Sequence, residues 1–150
     1  MALDYLPTNH CVAANTLRAI RARHPLALSA EAYAPGKYQI GYGNRNHVLR
    51  DMTISPCQAE DLLRNDVMYV EAFIRMAVAR RLTDRAYQAL VSFIYDVGPK
   101  ASYALIRLTL LHEKGEEAFF DGLAGCAEYS RFGAHIGRAA RFFEVEHAGL

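Results

Sequence analysis

A chain of 150 residues, 52% of them hydrophobic and 22% charged, is long enough to bury one sizeable core and too apolar for a disordered tail. A formal net charge of +1 excludes the broad positive field that draws proteins to nucleic acid or anionic membranes, so neither partner is expected. Cys11, Cys57 and Cys126 are odd in number and lack metal-ligand or redox spacing. They read as free thiols, small buried hydrophobes from a reducing compartment, with no metal or cofactor implied.

Taken in order, Met1 to His10 is polar and irregular, without a basic region leading into an apolar run, so no signal peptide is expected. No apolar segment approaches membrane-spanning length. The chain is therefore expected to be cytoplasmic as synthesised, with another factor needed for release to a periplasm. From Cys11 to Arg23, Val12, Leu17 and Ile20 recur at helical spacing, and His24-Pro25 ends that helix because the residue before proline avoids the α region. Ala30 to Tyr42 reads as strand, turn, strand around Pro35-Gly36. Its exit, Ile40-Gly41-Tyr42-Gly43, alternates β-forming side chains with glycines that leave the backbone approachable. After a loop at His47–Met52, Ser55-Pro56-Cys57-Gln58 combines a serine cap, a first-turn proline and a capping-box glutamine. The helix it starts runs through Ala59, Leu62, Leu63, Asp66, Val67, Val70 and Ile74. Thr83-Asp84 caps the next, whose stripe is Ala86, Leu90, Phe93, Ile94 and Val97, and Gly98-Pro99 stops it. Further helices are expected at about Tyr103–Lys114, Glu116–Glu128 and His135–His147.

This order, with its motifs, resembles the phage-type lysozymes, the endolysin family of muramidases, from about Leu17 to Glu146. The family's Ile-Gly-Tyr-Gly strand is present as Ile40 to Gly43. Its Gln-Ala-Glu-x-Leu-Leu helix start corresponds to Gln58 to Leu63, and its Ala-Leu-Val-Ser-Phe helix to Ala89 to Phe93, ending at Val97-Gly98. The closing Arg-x-x-Glu falls on Arg141 and Glu144. The resemblance implies an α+β, mostly α-helical chain with a phage-lysozyme-like fold. A single domain over 1–150 is expected. Its small β-hairpin lobe would span about 24–54 and its connecting helix about 55–80. A larger helical lobe would span about 81–150 and include the first helix, 11–23.

Hydrolysis of a glycosidic bond through an oxocarbenium-like transition state normally needs two carboxyl groups, one to protonate the leaving oxygen. In the family these resemble a Glu ending the first helix and an Asp in the hairpin, with a Thr before Ile-Gly to position water. Here the Glu position falls on His24, or on Leu26 without an inserted residue; the Asp falls on Ala34 or Pro35, and the Thr on Gln39. Between Met1 and Arg50 the carboxylate side chains are Asp4 and Glu31 alone. The first expectation is thus a lysozyme-like protein with lost or severely reduced hydrolysis, its cleft reused for a peptidoglycan glycan strand or a protein. Alternatives are an active muramidase with a displaced acid, Glu31 or His24, and a phage-derived factor acting on a host protein. Candidate substrate contacts are Tyr38, Gln39, Tyr42, Asn44 and Arg107, with packing and capping of the small sheet as the competing role for Tyr38, Tyr42 and Asn44. Glu60, and Asp96 at a family Asn position, read as structural.

Overall fold

A computed structural model of the chain describes residues 10–78, 82–100 and 102–103. Within them the elements run α1 (Ala14–Arg23), β1 (Ala27–Ala34), β2 (Lys37–Gly41), α2 (Pro56–Ala77) and α3 (Asp84–Val97). Arg107 and the helices expected beyond residue 103 lie outside the described residues.

α1 begins at Ala14, three residues later than the apolar spacing suggests. The residue at its N-cap, Ala13, has no side chain to cap with. Gln88 of α3 supplies the cap instead: its Oε1 accepts from the Ala13 amide at 2.8 Å and from Thr16 Oγ1 at 2.7 Å, while its Nε2 donates to the Cys11 carbonyl at 2.7 Å. Glu71 accepts the Val12 amide at 2.6 Å and the Tyr87 hydroxyl at 2.9 Å. Residues 11–13 are thereby held in place, their backbone groups satisfied by side chains from two other helices. Helix α1 ends before Pro25 as expected, with Arg21 and Arg23 placed favourably at the negative end of its dipole.

β1 and β2 form an antiparallel hairpin with Glu31 opposite Gln39 and irregular register on either side. The turn between them is Pro35-Gly36, and Gly36 takes the positive φ of 70° that such a turn asks for. The Met52 carbonyl and Ile54 amide bond β1 from its other side, each at 2.9 Å. That is why the loop after the hairpin returns the chain close to the sheet.

Helix α2 starts with the expected reciprocal cap: Ser55 Oγ accepts from the Gln58 amide at 3.1 Å, and Gln58 Oε1 accepts from the Ser55 amide at 2.8 Å. Its inner face carries Ala59, Leu63, Val67, Val70 and Ile74, all buried. Thr83 caps α3 through the Ala86 amide, and Gly98 closes it at a φ of 87°. From Ala86 to Ile94 every residue of α3 is buried, so this helix is the centre of the packing and not a surface stripe. Leu90, Phe93 and Ile94 share that core with Ile20, Leu63, Val67 and Ile74. Burial of each such side chain stabilises by roughly 1.5–3 kcal/mol.

Cys11 and Cys57 correct the expectation of buried thiols, since both are exposed. Cys57 occupies the first turn of α2 on its outer side, and Cys11 precedes α1, where its carbonyl accepts from Gln88. Cys126 lies outside the described residues. No helix of the described residues is long and apolar enough to cross a membrane.

Candidate functional site

The end of α1, the hairpin exit, α2 and the C-terminal end of α3 converge on a cavity of about 240 Å³. Each element delivers its side chains for a local reason. Pro25 stops α1, so His24 sits at the C-cap and leaves the helix path. The hairpin exit closes on itself through paired backbone bonds between Ile40 and Asn44, both at 2.9 Å, with Gly41 and Gly43 at φ values of 67° and 85°. Gly43 faces His24 closely enough that a Cβ there would stand 3.0 Å from Nδ1. Glu60 of α2 clamps the exit from behind, taking Arg21 at 2.7 Å and the Tyr42 hydroxyl at 3.1 Å. The guanidinium beside Glu60 holds its carboxyl below the usual range.

On the α3 wall, Asp96 is almost wholly enclosed, its side chain 3% exposed. His24 Nε2 lies 2.8 Å from Asp96 Oδ1, and Arg23 Nε lies 3.1 Å from Oδ2. Arg23 also donates to Ser92 Oγ at 2.8 Å. Burial pushes the Asp96 carboxyl upward, but the His24 hydrogen bond and the Arg23 charge prevail and hold it below the usual range. An ionised Asp96 can only accept, so the proton between it and His24 is carried by Nε2. Tyr95 packs edge-on against the imidazole, ring centroids 5.2 Å apart, and donates its hydroxyl to the Tyr42 carbonyl.

On the α2 wall, Asp66 is a second carboxyl of a different kind. Its Oδ1 accepts from Asn44 Nδ2 at 3.3 Å, Asn46 is its other hydrogen-bond partner, and among the described residues no cationic side chain pairs with it. Burial without a compensating cation pushes it from the ordinary 3.8 up to about 6. The two carboxyls of the cavity are thus driven apart, Asp96 downward and Asp66 upward.

Of the candidate residues, His24 and Gln39 line the cavity. Leu26, the other register for the helix-end acid, lies past the end of α1 and is 43% exposed. Pro35 sits at the hairpin tip, and Glu31 is exposed on β1; neither is part of the cavity wall. Asn44 is buried behind the wall, holding Asp66 and, through its Oδ1, the Asn46 amide at 2.9 Å. Tyr42 is turned to Glu60, and Tyr38 is half-buried on β2, outside this cavity. Asp96, read as structural, is brought into the wall, whereas Glu60 supports the hairpin exit from outside it. Asp66 reads from the sequence only as one residue along α2, with no functional role. Its signal was an acidic residue next to Val67 on the inward stripe of the helix. Among the described residues no group of three His, Cys, Asp or Glu side chains could hold a metal ion.

Comparison with known proteins places this geometry. Residues 26–137 match the family model described as phage lysozyme. An endolysin of Acyrthosiphon pisum secondary endosymbiont phage 1 is 29% identical over 82 residues, covering 55% of this chain and 56% of the endolysin. An endolysin of Bacillus phage PZA is 35% identical over 97 residues, 63% of this chain and 38% of that protein. The chain therefore matches about half or less of the length of these curated relatives. In three dimensions, a crystal structure of a P22 lysozyme mutant superposes with a TM-score of 0.68 at 22% identity, covering 89% of this chain and 98% of that one.

Proposed function

This chain belongs to the phage lysozyme family, and on that premise we propose that it binds peptidoglycan glycan strands in its cleft without the family's efficient hydrolysis. The observation that carries this reading is the state of the residue at the end of α1. There the cleft presents an imidazole whose Nε2 proton is directed at Asp96, 2.8 Å away, and whose Nδ1 is set against Gly43. Asp96 is ionised between Arg23 and His24, and an ionised, doubly paired carboxylate has no proton to give a leaving oxygen. The general-acid contribution, commonly 10²–10⁴-fold, is thereby missing from the place where the resemblance puts it.

Binding is supported by what the cavity retains. Gln39, Arg45, Asn46 and Asp66 offer hydrogen-bonding groups beside Tyr69 and Tyr95, a mixture suited to the hydroxyl and acetamide groups of an amino-sugar chain. Arg45 is anchored for this by stacking 3.9 Å over the Tyr33 ring and donating to Gln39 at 3.4 Å. The experiment is co-sedimentation with purified peptidoglycan set beside capture from a host lysate. Saturable sedimentation that Gln39→Ala and Arg45→Ala weaken supports the glycan reading. No sedimentation, with one host protein captured through the same residues, would replace it by a protein-binding role.

A further inference from the structure

Asp66 has no part in the family chemistry outlined above, yet it is a half-enclosed carboxyl on the wall of the cleft. Asn44 from behind the wall and Asn46 from the wall itself orient it by neutral amide hydrogen bonds, and among the described residues no cationic side chain pairs with it. We propose that Asp66 is a proton-linked element of the ligand site: the cleft takes up one proton, on the Asp66 carboxyl, when it closes around an uncharged portion of a glycan strand. This rests on the glycan-binding reading of the cleft.

The argument is one of solvation. An ionised carboxylate without a cationic partner depends on water, and the open cavity of about 240 Å³ in front of Asp66 is where that water can be. A sugar ring filling the cavity displaces it and offers hydroxyl and carbonyl oxygens in its place. Protonated Asp66 can donate to such an oxygen while still accepting from Asn44, so the neutral acid suits the filled cleft. Burial already pushes this carboxyl up to about 6, so a further rise on binding puts the uptake in the range where proteins work. The remaining charged or titratable groups facing this space do not substitute for it. From α3, Asp96 is neutralised by Arg23 and His24, and Tyr95 is pushed upward by burial and by the nearby Asp66 and Asp96 charges, so it stays a neutral phenol. From the hairpin exit, Arg45 is turned to Tyr33 and Gln39; from α2, Tyr69 is exposed at the rim. His24, at the end of α1, also lines this space, and it needs its own control.

The test is calorimetric titration of the full chain with peptide-free peptidoglycan glycan strands at pH 5.0, 6.5 and 7.5, in two buffers of different ionisation enthalpy. The expected result is net proton uptake at pH 6.5 and an affinity falling about sevenfold from pH 5.0 to 7.5, the linkage value for a midpoint of about 6 that rises by about one pH unit on binding. Asp66→Asn should bind with an affinity independent of pH, and His24→Gln should keep the pH dependence. Binding that is equally strong at all three values in the wild type overturns the proton linkage and leaves the glycan reading standing. No binding at any pH overturns both. Dependence that survives in Asp66→Asn but vanishes in His24→Gln assigns the proton to the imidazole and overturns the proposal. Muropeptide release that is lost in Asp66→Asn would make the residue a donor in hydrolysis and not in binding, and overturns it as well.

Discussion

Replacing Asp66 by Asn removes a charge that the folded state accommodates poorly, and its effect on stability should depend on pH in a defined direction. Burial raises the carboxyl from 3.8 to about 6 in the folded chain. A group whose folded value lies above its unfolded value contributes most at low pH, where both states are protonated, and that contribution is lost as pH rises to and through about 6. The two values are about two pH units apart, which corresponds to at most about 3 kcal/mol. Any constant effect of the amide on Asn44 and Asn46 cancels if the difference between wild type and Asp66→Asn is followed across pH. The assay is urea unfolding of both proteins from pH 3.5 to 7.5, with free energies extrapolated to water. Wild type should lose up to about 3 kcal/mol relative to the variant over that range, most of it between pH 4 and 6.5. A difference constant to within about 0.5 kcal/mol would show that Asp66 is solvated or paired in the folded state, and the solvation argument would fail.

Other substitutions probe the frame and the cleft separately. Phe93, 1% exposed at the centre of the core, should lose about 3–5 kcal/mol of stability on truncation to Ala, measured by urea unfolding. Gly43→Ala forces a side chain into a φ of 85° and 3.0 Å from His24 Nδ1; it should cost at least about 1 kcal/mol and shift the His24 imidazole resonances in NMR spectra. Restoring His24→Glu, Pro35→Asp and Gln39→Thr together should recover some muropeptide release, and the single changes almost none, because acid and base act as a unit. The recovery should be small, since the introduced carboxyl at the end of α1 would meet Asp96 and Arg23 where the imidazole now sits.

The parts of this structure legible in the sequence are those whose causes are local. The Ser55–Gln58 capping box, the Thr83 cap, the Pro35-Gly36 turn and the Gly98 stop depend on neighbours within four residues, and each stands as its residue types require. What escaped has its cause far along the chain. The late start of α1 follows from Gln88, 75 positions from the Ala13 amide that it accepts. The pairing of His24 with Asp96 spans 72 positions, so neither the tether on the imidazole nor the place of Asp96 in the cleft could be read from either residue alone. Asp66 looked like one polar residue in an amphipathic helix. Its character comes from the hairpin exit, which brings Asn44 rather than a cation to its carboxyl. The exposed thiols Cys11 and Cys57 escaped for a simpler reason, since composition gives a residue's usual environment and not its helix face.

The claim on which the rest depends is that the tethered imidazole at the end of α1 leaves the cleft unable to protonate a glycosidic oxygen efficiently. Mass-spectrometric detection of muropeptides released from purified peptidoglycan, with an active phage lysozyme at equal concentration beside it, tests this directly. No release above buffer is expected from the folded wild-type chain. Release within tenfold of the active enzyme would contradict the account and require another proton donor in the cleft.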